Sequence, residues 1–310
     1  MANCSAPLTG LIPINDLGAG QYLGFQGGYY PNGMNRLPLA HDGAGRRMAD
    51  EVKAALDAGQ PCAFAGLGFS GAQRVWNQFV PLWNAHPYTN KNVRLPNLCL
   101  AGVNSDDLAN PASSYWTTHV PTTLAAAGIA LADVRVVWVE TGYPPPPSAF
   151  PGHAQAMQAN LVAAAQNIRT FFPNCRLAYL TSSHYHGYAN QAGQEPFAYE
   201  HAFGVKWAIE QQINGDPALA FAGPSAVAPW LGWAGYPWCD GASPRASDGL
   251  AMTCPADFAT DGQHPSTAGA NKLASVLLND LLDDWTAKTW MLNLPTGGGT
   301  GTPPPMTQTP

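Results

Sequence analysis

Hydrophobic positions in this chain form two kinds of pattern, short continuous apolar runs and longer stretches with helical spacing. The apolar runs have the length and composition of buried strands; they are CAFAGLGFSG (62–71), LPNLCLAG (95–102), VRVVWVETG (134–142) and RLAYLTSS (176–183). The stretches with helical spacing lie near residues 46–58, 72–83 (interrupted by Pro81), 153–172, 201–213 and 268–285. Strands that alternate with amphipathic helices predict an α/β fold whose parallel sheet is covered on both faces.

This alternation extends over residues 45–290, which we interpret as a single α/β domain. Residues 1–44 are rich in glycine and tyrosine and predict an extended segment packed on that body. Residues 291–310 form a Gly/Thr/Pro-rich tail, which is typical of a linker and is expected to lead to an anchor or a further domain.

The composition favours an extracellular enzyme. Hydrophobic residues make up 46% of the 310 residues, enough for a sizeable core, whereas charged residues make up only 11%. The net charge of −6 and the scattered lysines and arginines argue against a nucleic-acid partner. No apolar run reaches the ~18 residues that span a bilayer, so no membrane insertion is expected. From the composition we expect a secreted or cell-surface protein. The N-terminus lacks the charged start and apolar core of a signal peptide, so a secreted protein would be present here in a processed or recloned form.

Six cysteines are compatible with an oxidising compartment, and none of them forms a CxxC pair. Cys239 and Cys254 bracket a polar loop, and a disulfide between them would stabilise the fold by about 3 kcal/mol in the chain-entropy model. Cys62 and Cys99 lie beside predicted strands and are a second candidate pair. Buried free thiols are the alternative.

Ser70 is a candidate nucleophile because it follows the first predicted strand, and ligands collect beyond the carboxyl ends of parallel strands. Its neighbours Gly68 and Gly71 leave room for a substrate. The helix that follows directs N–H groups at an anion formed there. A helix N-cap is the alternative interpretation of the same serine.

The second predicted strand ends at LAGVNSDDL, where Gly102 offers a backbone N–H and Asn104 a side-chain amide. Both are candidate donors to an oxyanion. A loop asparagine that satisfies backbone groups is the alternative interpretation of Asn104.

The stretch DGQHPS (261–266) places Asp261 three residues before His264. A serine hydroxyl needs an adjacent base, and histidine suits this role because its pKa lies near neutrality. An aspartate fixes the tautomer of such a histidine and stabilises its charged form. Pro265 suits the first position of the last helix, so the motif is predicted at a helix N-terminus.

Together, the order Ser70, Gly102, central strand, Asp261 and His264 resembles the SGNH hydrolase superfamily, the GDSL-like esterases and acetylhydrolases. The resemblance extends over about residues 62–290 and includes features of a secreted bacterial branch. It implies a flavodoxin-like three-layer α/β/α sandwich with a central parallel sheet. It also implies that Ser70, His264 and Asp261 are catalytic and that the oxyanion hole contains Ser70 and Gly102, with Asn104 as a further donor.

Two positions depart from the pattern of that family. Its Gly-Asp-Ser is replaced by Gly68-Phe69-Ser70, and its Gly-x-Asn-Asp after the central strand is replaced by ETGYPPPP. By position, the oxyanion-hole asparagine becomes Gly142. Either the backbone N–H groups suffice or another donor such as Asn104 replaces it; one donor is worth about 2.7–4 kcal/mol of transition-state stabilisation.

Two further groups are candidates for contact with substrate. His184 and His186 lie near a strand end and predict a substrate contact, a loop hydrogen bond or, alternatively, a metal site. An aromatic group that begins at Trp230 forms either a platform for sugar rings or acyl groups, or part of the domain's packing. The candidate substrate-binding residues are Phe69, Tyr143, His184, Trp233, Tyr236 and Trp238.

The sequence therefore predicts a secreted serine esterase that removes acetyl or short acyl groups from carbohydrate through an acyl-enzyme. Its expected partner is a small-molecule or polysaccharide ester, with neither cofactor nor metal. Two alternatives stay open. One is a catalytically silent carbohydrate-binding protein on the same fold, and the other is a metal-dependent hydrolase that uses His184 and His186.

Overall fold

A central sheet of five parallel strands is present in the computed structural model, which describes residues 1–142, 148–190 and 194–293. The strands are β1 (Cys62–Gly68), β2 (Val93–Arg94), β3 (Val134–Glu140), β4 (Leu177–Thr181) and β5 (Trp230–Trp233). Their order across the sheet is β2-β1-β3-β4-β5, which is the order of flavodoxin-like folds. In such folds the ligand crevice lies beyond the carboxyl ends of β1 and β3, where the strand order reverses.

Helices cover both faces of the sheet. They are α1 (Leu39–Asp57), α2 (Ser70–Ala85), α3 (Ser105–Ala109), α4 (Val120–Ala126), α5 (Gly152–Phe171), α6 (Phe197–Ile213), α7 (Thr267–Asp283) and α8 (Trp285–Met291). In one layer α7 packs against α2 and α8, and α8 against α1. In the other layer α5 packs against α3 and α6. The predicted three-layer α/β/α sandwich with a parallel sheet is confirmed.

Aromatic packing fixes α2 on the sheet. Trp76 of α2 stacks on Trp138 of β3 with ring centroids 5.8 Å apart, and its ring meets the Phe64 ring of β1 in an edge contact at 5.0 Å. Gly66 makes room for this indole, since a Cβ there would lie 2.4 Å from Trp76. Buried aromatic pairs of this kind contribute strongly to core stability. The helix that begins at Ser70 is therefore firmly placed.

The segment LPNLCLAG is not a regular strand, contrary to the prediction. β2 precedes it, and the residues after Pro96 run beside β1 with individual hydrogen bonds. Leu98 donates its N–H to Gly66 O (2.8 Å) and Leu100 donates to Gly68 O (2.9 Å). Pro96 has no N–H to donate and interrupts the ladder.

Three other boundaries differ from the predicted ones. α1 begins at Leu39 rather than near residue 46, and α2 continues through Pro81 without the predicted interruption. Trp230–Trp233 form β5, where no strand was predicted. The last two differences arise because tertiary packing overrides local preference at a proline and in a short, tryptophan-rich run.

Cys4 forms a disulfide with Cys254, with Cα atoms 5.2 Å apart, and this bond joins the N-terminal segment to the region before His264. The predicted Cys239–Cys254 disulfide is therefore wrong. The loop between those two cysteines is held instead by buried Arg245, which donates to the backbone oxygens of Tyr236 (2.7 Å) and Trp238 (3.2 Å). The buried free thiols are Cys62, Cys99, Cys175 and Cys239.

The N-terminal segment is bound to the domain by polar contacts. Asp240 accepts hydrogen bonds from the backbone of Thr9 and Gly10 (2.9 and 2.8 Å), and buried Lys206 donates to Gly27 O (2.8 Å). Of the predicted tail, residues 294–310 lie outside the described residues. Within the described ranges, no helix is long and apolar enough to cross a bilayer.

Candidate active site

Ser70 is placed by the junction of β1 and α2. β1 ends at Gly68, Phe69 is extended, and Ser70 is the first residue of the helix rather than its cap. Its backbone N–H has no helical carbonyl to bind and lies at the positive end of a 16-residue helix. Only glycine fits at position 68, where φ is +137° and a Cβ would lie 1.8 Å from Glu140 O.

His264 lies in a tight loop before α7. Ala259 donates its N–H to His264 O (2.8 Å), which closes the loop around Asp261. Pro265, predicted as the first helical residue, precedes the helix, whose N-cap is Ser266. Because α7 packs against α2, the loop comes to rest beside the start of α2.

Ser70, His264 and Asp261 form a continuous chain of hydrogen bonds. Ser70 Oγ lies 2.6 Å from His264 Nε2, and His264 Nδ1 lies 2.7 Å from Asp261 Oδ2. A carboxylate only accepts, so Nδ1 carries the hydrogen and Nε2 presents its lone pair to Ser70. Arg74 of α2 also donates to Pro265 O (3.0 Å), which ties the helix of the serine to the loop of the histidine.

Asp261 is an ionised carboxylate at neutral pH. Burial alone would raise its pKa, but hydrogen bonds from the backbone N–H groups of His264 and Gln263, and from the His264 ring, lower the pKa to about 2. Its Oδ1 accepts from Gln263 N–H (2.9 Å) and His264 N–H (3.0 Å). One oxygen is thus fixed by the backbone, and the other is left for the imidazole.

Gly102 is brought towards the end of β1 by the segment that follows β2. Leu100, two residues earlier, is bonded to Gly68, and Gly102 is exposed with φ of +85°. Its N–H donates to no backbone oxygen among the residues that the structure describes. Asn104 is the N-cap of α3, and its Oδ1 accepts from Asp106 N–H (2.8 Å). The Asn104 oxygen therefore satisfies a backbone group, as in the alternative interpretation of this residue, and a donor role for the Asn104 nitrogen stays a prediction.

Gly142 occupies the position at which the family pattern has an asparagine. It is buried, and a Cβ there would lie 2.7 Å from Ser183 Oγ and 3.0 Å from His201 Cε1. Ser183 Oγ in turn lies 2.9 Å from His201 Nδ1, so the pair fills this space. A side chain at position 142 would therefore meet Ser183 and His201.

The aromatic residues considered as a substrate platform are buried. Trp233, Tyr236 and Trp238 are only 6%, 1% and 0% exposed. Trp233 donates its indole N–H to Tyr29 O (2.9 Å), and Trp238 donates to Glu195 Oε1 (3.0 Å). A buried ring has no free face for a sugar, so these side chains belong to the packing, which was the alternative interpretation.

The remaining candidate substrate contacts lie close to the serine or outside the described residues. Phe69 is half-buried and stacks on the His184 ring with centroids 6.4 Å apart. His184 is 1% exposed, and its Nε2 lies 2.7 Å from Gln263 O, which is the loop hydrogen bond that the sequence analysis considered. Tyr143 lies outside the described residues.

The metal-dependent alternative lacks a set of ligands in the described part of the chain. No group of three or more His, Cys, Asp or Glu residues there is arranged to hold a metal ion. His184 is engaged with Gln263 O, and the His186 ring packs edge-on against the His184 ring with centroids 4.7 Å apart.

Glu140 is a residue of interest that the sequence analysis did not single out. It is the last residue of β3, is fully buried, and lies in register between Gly68 and Thr181. Burial raises the pKa of its carboxyl, and a hydrogen bond with His184 opposes this rise. The sequence contained a signal, since a single acidic residue ends the apolar run VRVVWVE, and carboxylates are seldom fully buried without a partner.

The chain is distantly similar to several solved structures, whereas no protein-family model and no curated protein matches it. A protein named as a GDSL-like lipase from Parabacteroides merdae is 12% identical over 74% of this chain and 96% of its own (TM-score 0.41). A protein named as a platelet activating factor from Streptococcus pneumonia is 14% identical over 76% and 92% (TM-score 0.41). The salicylyl-acyltransferase SsfX3 from a tetracycline biosynthetic pathway is 16% identical over 72% of this chain and 55% of its own (TM-score 0.38).

The fold of this chain is established by its own topology rather than by these distant similarities. The sheet has the flavodoxin-like strand order, Ser70 follows its first strand, and Asp261 and His264 precede its last long helix. The predicted flavodoxin-like three-layer α/β/α sandwich with a central parallel sheet is the fold of this protein.

Proposed function

We propose that this protein is a serine esterase that hydrolyses carboxylic esters through an acyl-enzyme at Ser70. The observation that carries the proposal is the chain of hydrogen bonds from Ser70 Oγ to His264 (2.6 Å) and from His264 to Asp261 (2.7 Å). A nucleophile, a base and an orienting carboxylate within hydrogen-bonding distance are the parts that acyl transfer requires.

The reaction begins when Ser70 Oγ attacks the ester carbonyl carbon and its proton moves to His264 Nε2. Asp261 stabilises the resulting imidazolium through the Nδ1–H bond. The oxyanion is bound by the N–H of Ser70, at the positive end of α2, and by the N–H of Gly102. His264 then protonates the leaving alcohol, and its neutral ring takes a proton from the water that releases the acyl group.

Short acyl esters are the proposed substrates, with acetylated carbohydrate as one class to be tested. The aromatic side chains that favoured carbohydrate are buried, so this class now depends on the resemblance to acetylhydrolases. A secreted or cell-surface location belongs to the same proposal. It is supported by the Cys4–Cys254 disulfide, because such bonds persist in oxidising compartments.

A catalytically silent binding protein is the second candidate, favoured by the lack of space for an asparagine at Gly142. Labelling with a fluorophosphonate separates the two, because the reagent requires an activated serine. We expect one adduct, located on Ser70 by mass spectrometry, absent in Ser70→Ala and slower to form in His264→Gln. No adduct on the parent protein, under conditions that label a control serine esterase, would favour the binding protein.

A further inference from the structure

The His184 ring lies between the two arms of the active site. On one side it meets the start of α2, since a Cβ on Gly71 would lie 2.8 Å from His184 Cε1. On the other side its Nε2 lies 2.7 Å from Gln263 O. One buried ring therefore touches the residue after the nucleophile Ser70 and the residue before the base His264.

The bond to Gln263 fixes the hydrogen on His184. A carbonyl oxygen only accepts, so Nε2 carries a hydrogen. Nδ1 then faces Glu140 Oε1 at 3.4 Å. Burial raises the pKa of Glu140, which favours the neutral carboxyl as the donor to Nδ1.

Glu140 is anchored in the centre of the sheet. Its backbone pairs with Gly68 in β1 and with Thr181 in β4, and its side chain is fully buried. A path of contacts therefore runs from the sheet through Glu140 and His184 to the backbone of Gln263. The loop at the end of this path is at the surface, where the Asp261 side chain is 49% exposed. A catalytic group on such a loop needs support from a rigid element to keep its geometry.

We infer that His184, oriented by Glu140, is a positioning residue that holds the Gln263 carbonyl and so keeps His264 Nε2 in reach of Ser70 Oγ. The inference rests on the proposed esterase function. His184 acts through the backbone of the loop, and its loss displaces the base without removing it. Misplacement of a catalytic group by about 1 Å costs about 100-fold in rate.

Substitutions at two neighbouring histidines test this role in the full-length protein. In His184→Met the donor to Gln263 is lost, and we expect kcat for p-nitrophenyl acetate to fall about 100-fold with KM nearly unchanged. In His184→Gln the side-chain amide restores a donor, and we expect kcat to return to within about tenfold of the parent. The matched control is His186→Met, whose ring packs on His184 outside the path of contacts, and its kcat is expected to stay near the parental value.

A second readout does not depend on turnover. The proton between His264 Nδ1 and Asp261 gives a low-field resonance in proton NMR spectra, and we expect it to broaden or vanish in His184→Met while it persists in His184→Gln and His186→Met. If the parent protein is inactive but the variants show this pattern of resonances, the proposed esterase function is contradicted and the positioning role of His184 is supported. An active parent protein with equal kcat and equal resonances in His184→Met overturns the positioning role alone.

Variants of Glu140 cover the case in which His184→Met does not fold. Glu140→Gln keeps a donor to His184 Nδ1, whereas Glu140→Leu removes it. We expect the first to keep kcat within about tenfold of the parent and the second to lower kcat well beyond that. Equal kcat in the two variants overturns the inference.

Discussion

Asp261→Asn changes one oxygen of the active site to nitrogen, and the structure determines which one. Asp261 Oδ1 accepts from the N–H groups of Gln263 (2.9 Å) and His264 (3.0 Å), so the oxygen of the asparagine takes this place. Its NH2 group then faces His264 Nδ1. An amide nitrogen only donates, so the hydrogen of the imidazole moves to Nε2, the atom that has to accept the proton of Ser70.

The size of the effect follows from this tautomer. A base whose acceptor atom already carries a hydrogen cannot remove the proton of Ser70, and the equivalent change in a serine protease lowers kcat about 10⁴-fold. The Asp261 side chain is 49% exposed, so water competes for the imidazole and offsets part of the loss. We therefore expect kcat/KM to fall by about 10³–10⁴-fold, which is about 4–5.5 kcal/mol of transition-state stabilisation.

Hydrolysis of p-nitrophenyl acetate by the parent protein, Asp261→Asn and Asp261→Ala measures this loss, and thermal unfolding shows whether each variant is folded. The asparagine variant keeps both backbone hydrogen bonds, so its melting temperature is expected to be close to that of the parent. Despite its matching shape, it is expected to be no more active than Asp261→Ala. Activity of Asp261→Asn within tenfold of the parent would refute the proposed tautomer.

Three further predictions concern the packing, the disulfide and the pH dependence of stability. Gly68→Ala is expected to lower the free energy of unfolding by at least about 3 kcal/mol in urea titrations, because its Cβ would lie 1.8 Å from Glu140 O; a loss below about 1 kcal/mol contradicts this. Cys4→Ser breaks the bond to Cys254 and is expected to lower the melting temperature. It is also expected to lower kcat, because the N-terminal segment then loses its covalent anchor, and Ala2 N–H in this segment donates to Thr260 O beside Asp261. A melting temperature and a kcat equal to those of the parent protein would contradict this prediction. Stability is expected to fall as pH falls below about 6.5, because burial lowers the pKa of His186 well below its ordinary value and only the unfolded chain then takes up the proton. His186→Met is expected to reduce this pH dependence, and an unchanged slope in urea titrations contradicts it.

The sheet could be predicted from the sequence where its strands are buried along nearly their whole length. β1, β3 and β4 are predominantly apolar, and such strands occur where helices cover both faces of a parallel sheet. Ser70 was predictable with them, because a serine at the carboxyl end of such a strand lies at the ligand-binding edge. The Asp261–His264 pair was predictable because its members are neighbours in the chain and need only a tight loop to meet.

The features that the sequence did not reveal are contacts between distant residues. Glu140 and His184 are 44 residues apart, and hydrophobic periodicity reports only which face of an element is buried. Cys254 pairs with Cys4 across 250 residues rather than with nearby Cys239, and spacing along the chain does not reveal such a distant partner. The tryptophans near β5 suggested a surface platform because a tryptophan-rich segment occurs both in binding surfaces and in protein cores. The sequence alone does not distinguish the two.

The most direct test of the central claim is hydrolysis of p-nitrophenyl acetate by the parent protein and by Ser70→Ala, each with and without a chelator. Acetylated sugars serve as a second substrate in the same assay. The proposed function predicts turnover by the parent protein that falls to background in Ser70→Ala and does not change with chelator. Equal turnover by Ser70→Ala, or turnover that the chelator abolishes, would contradict the serine mechanism.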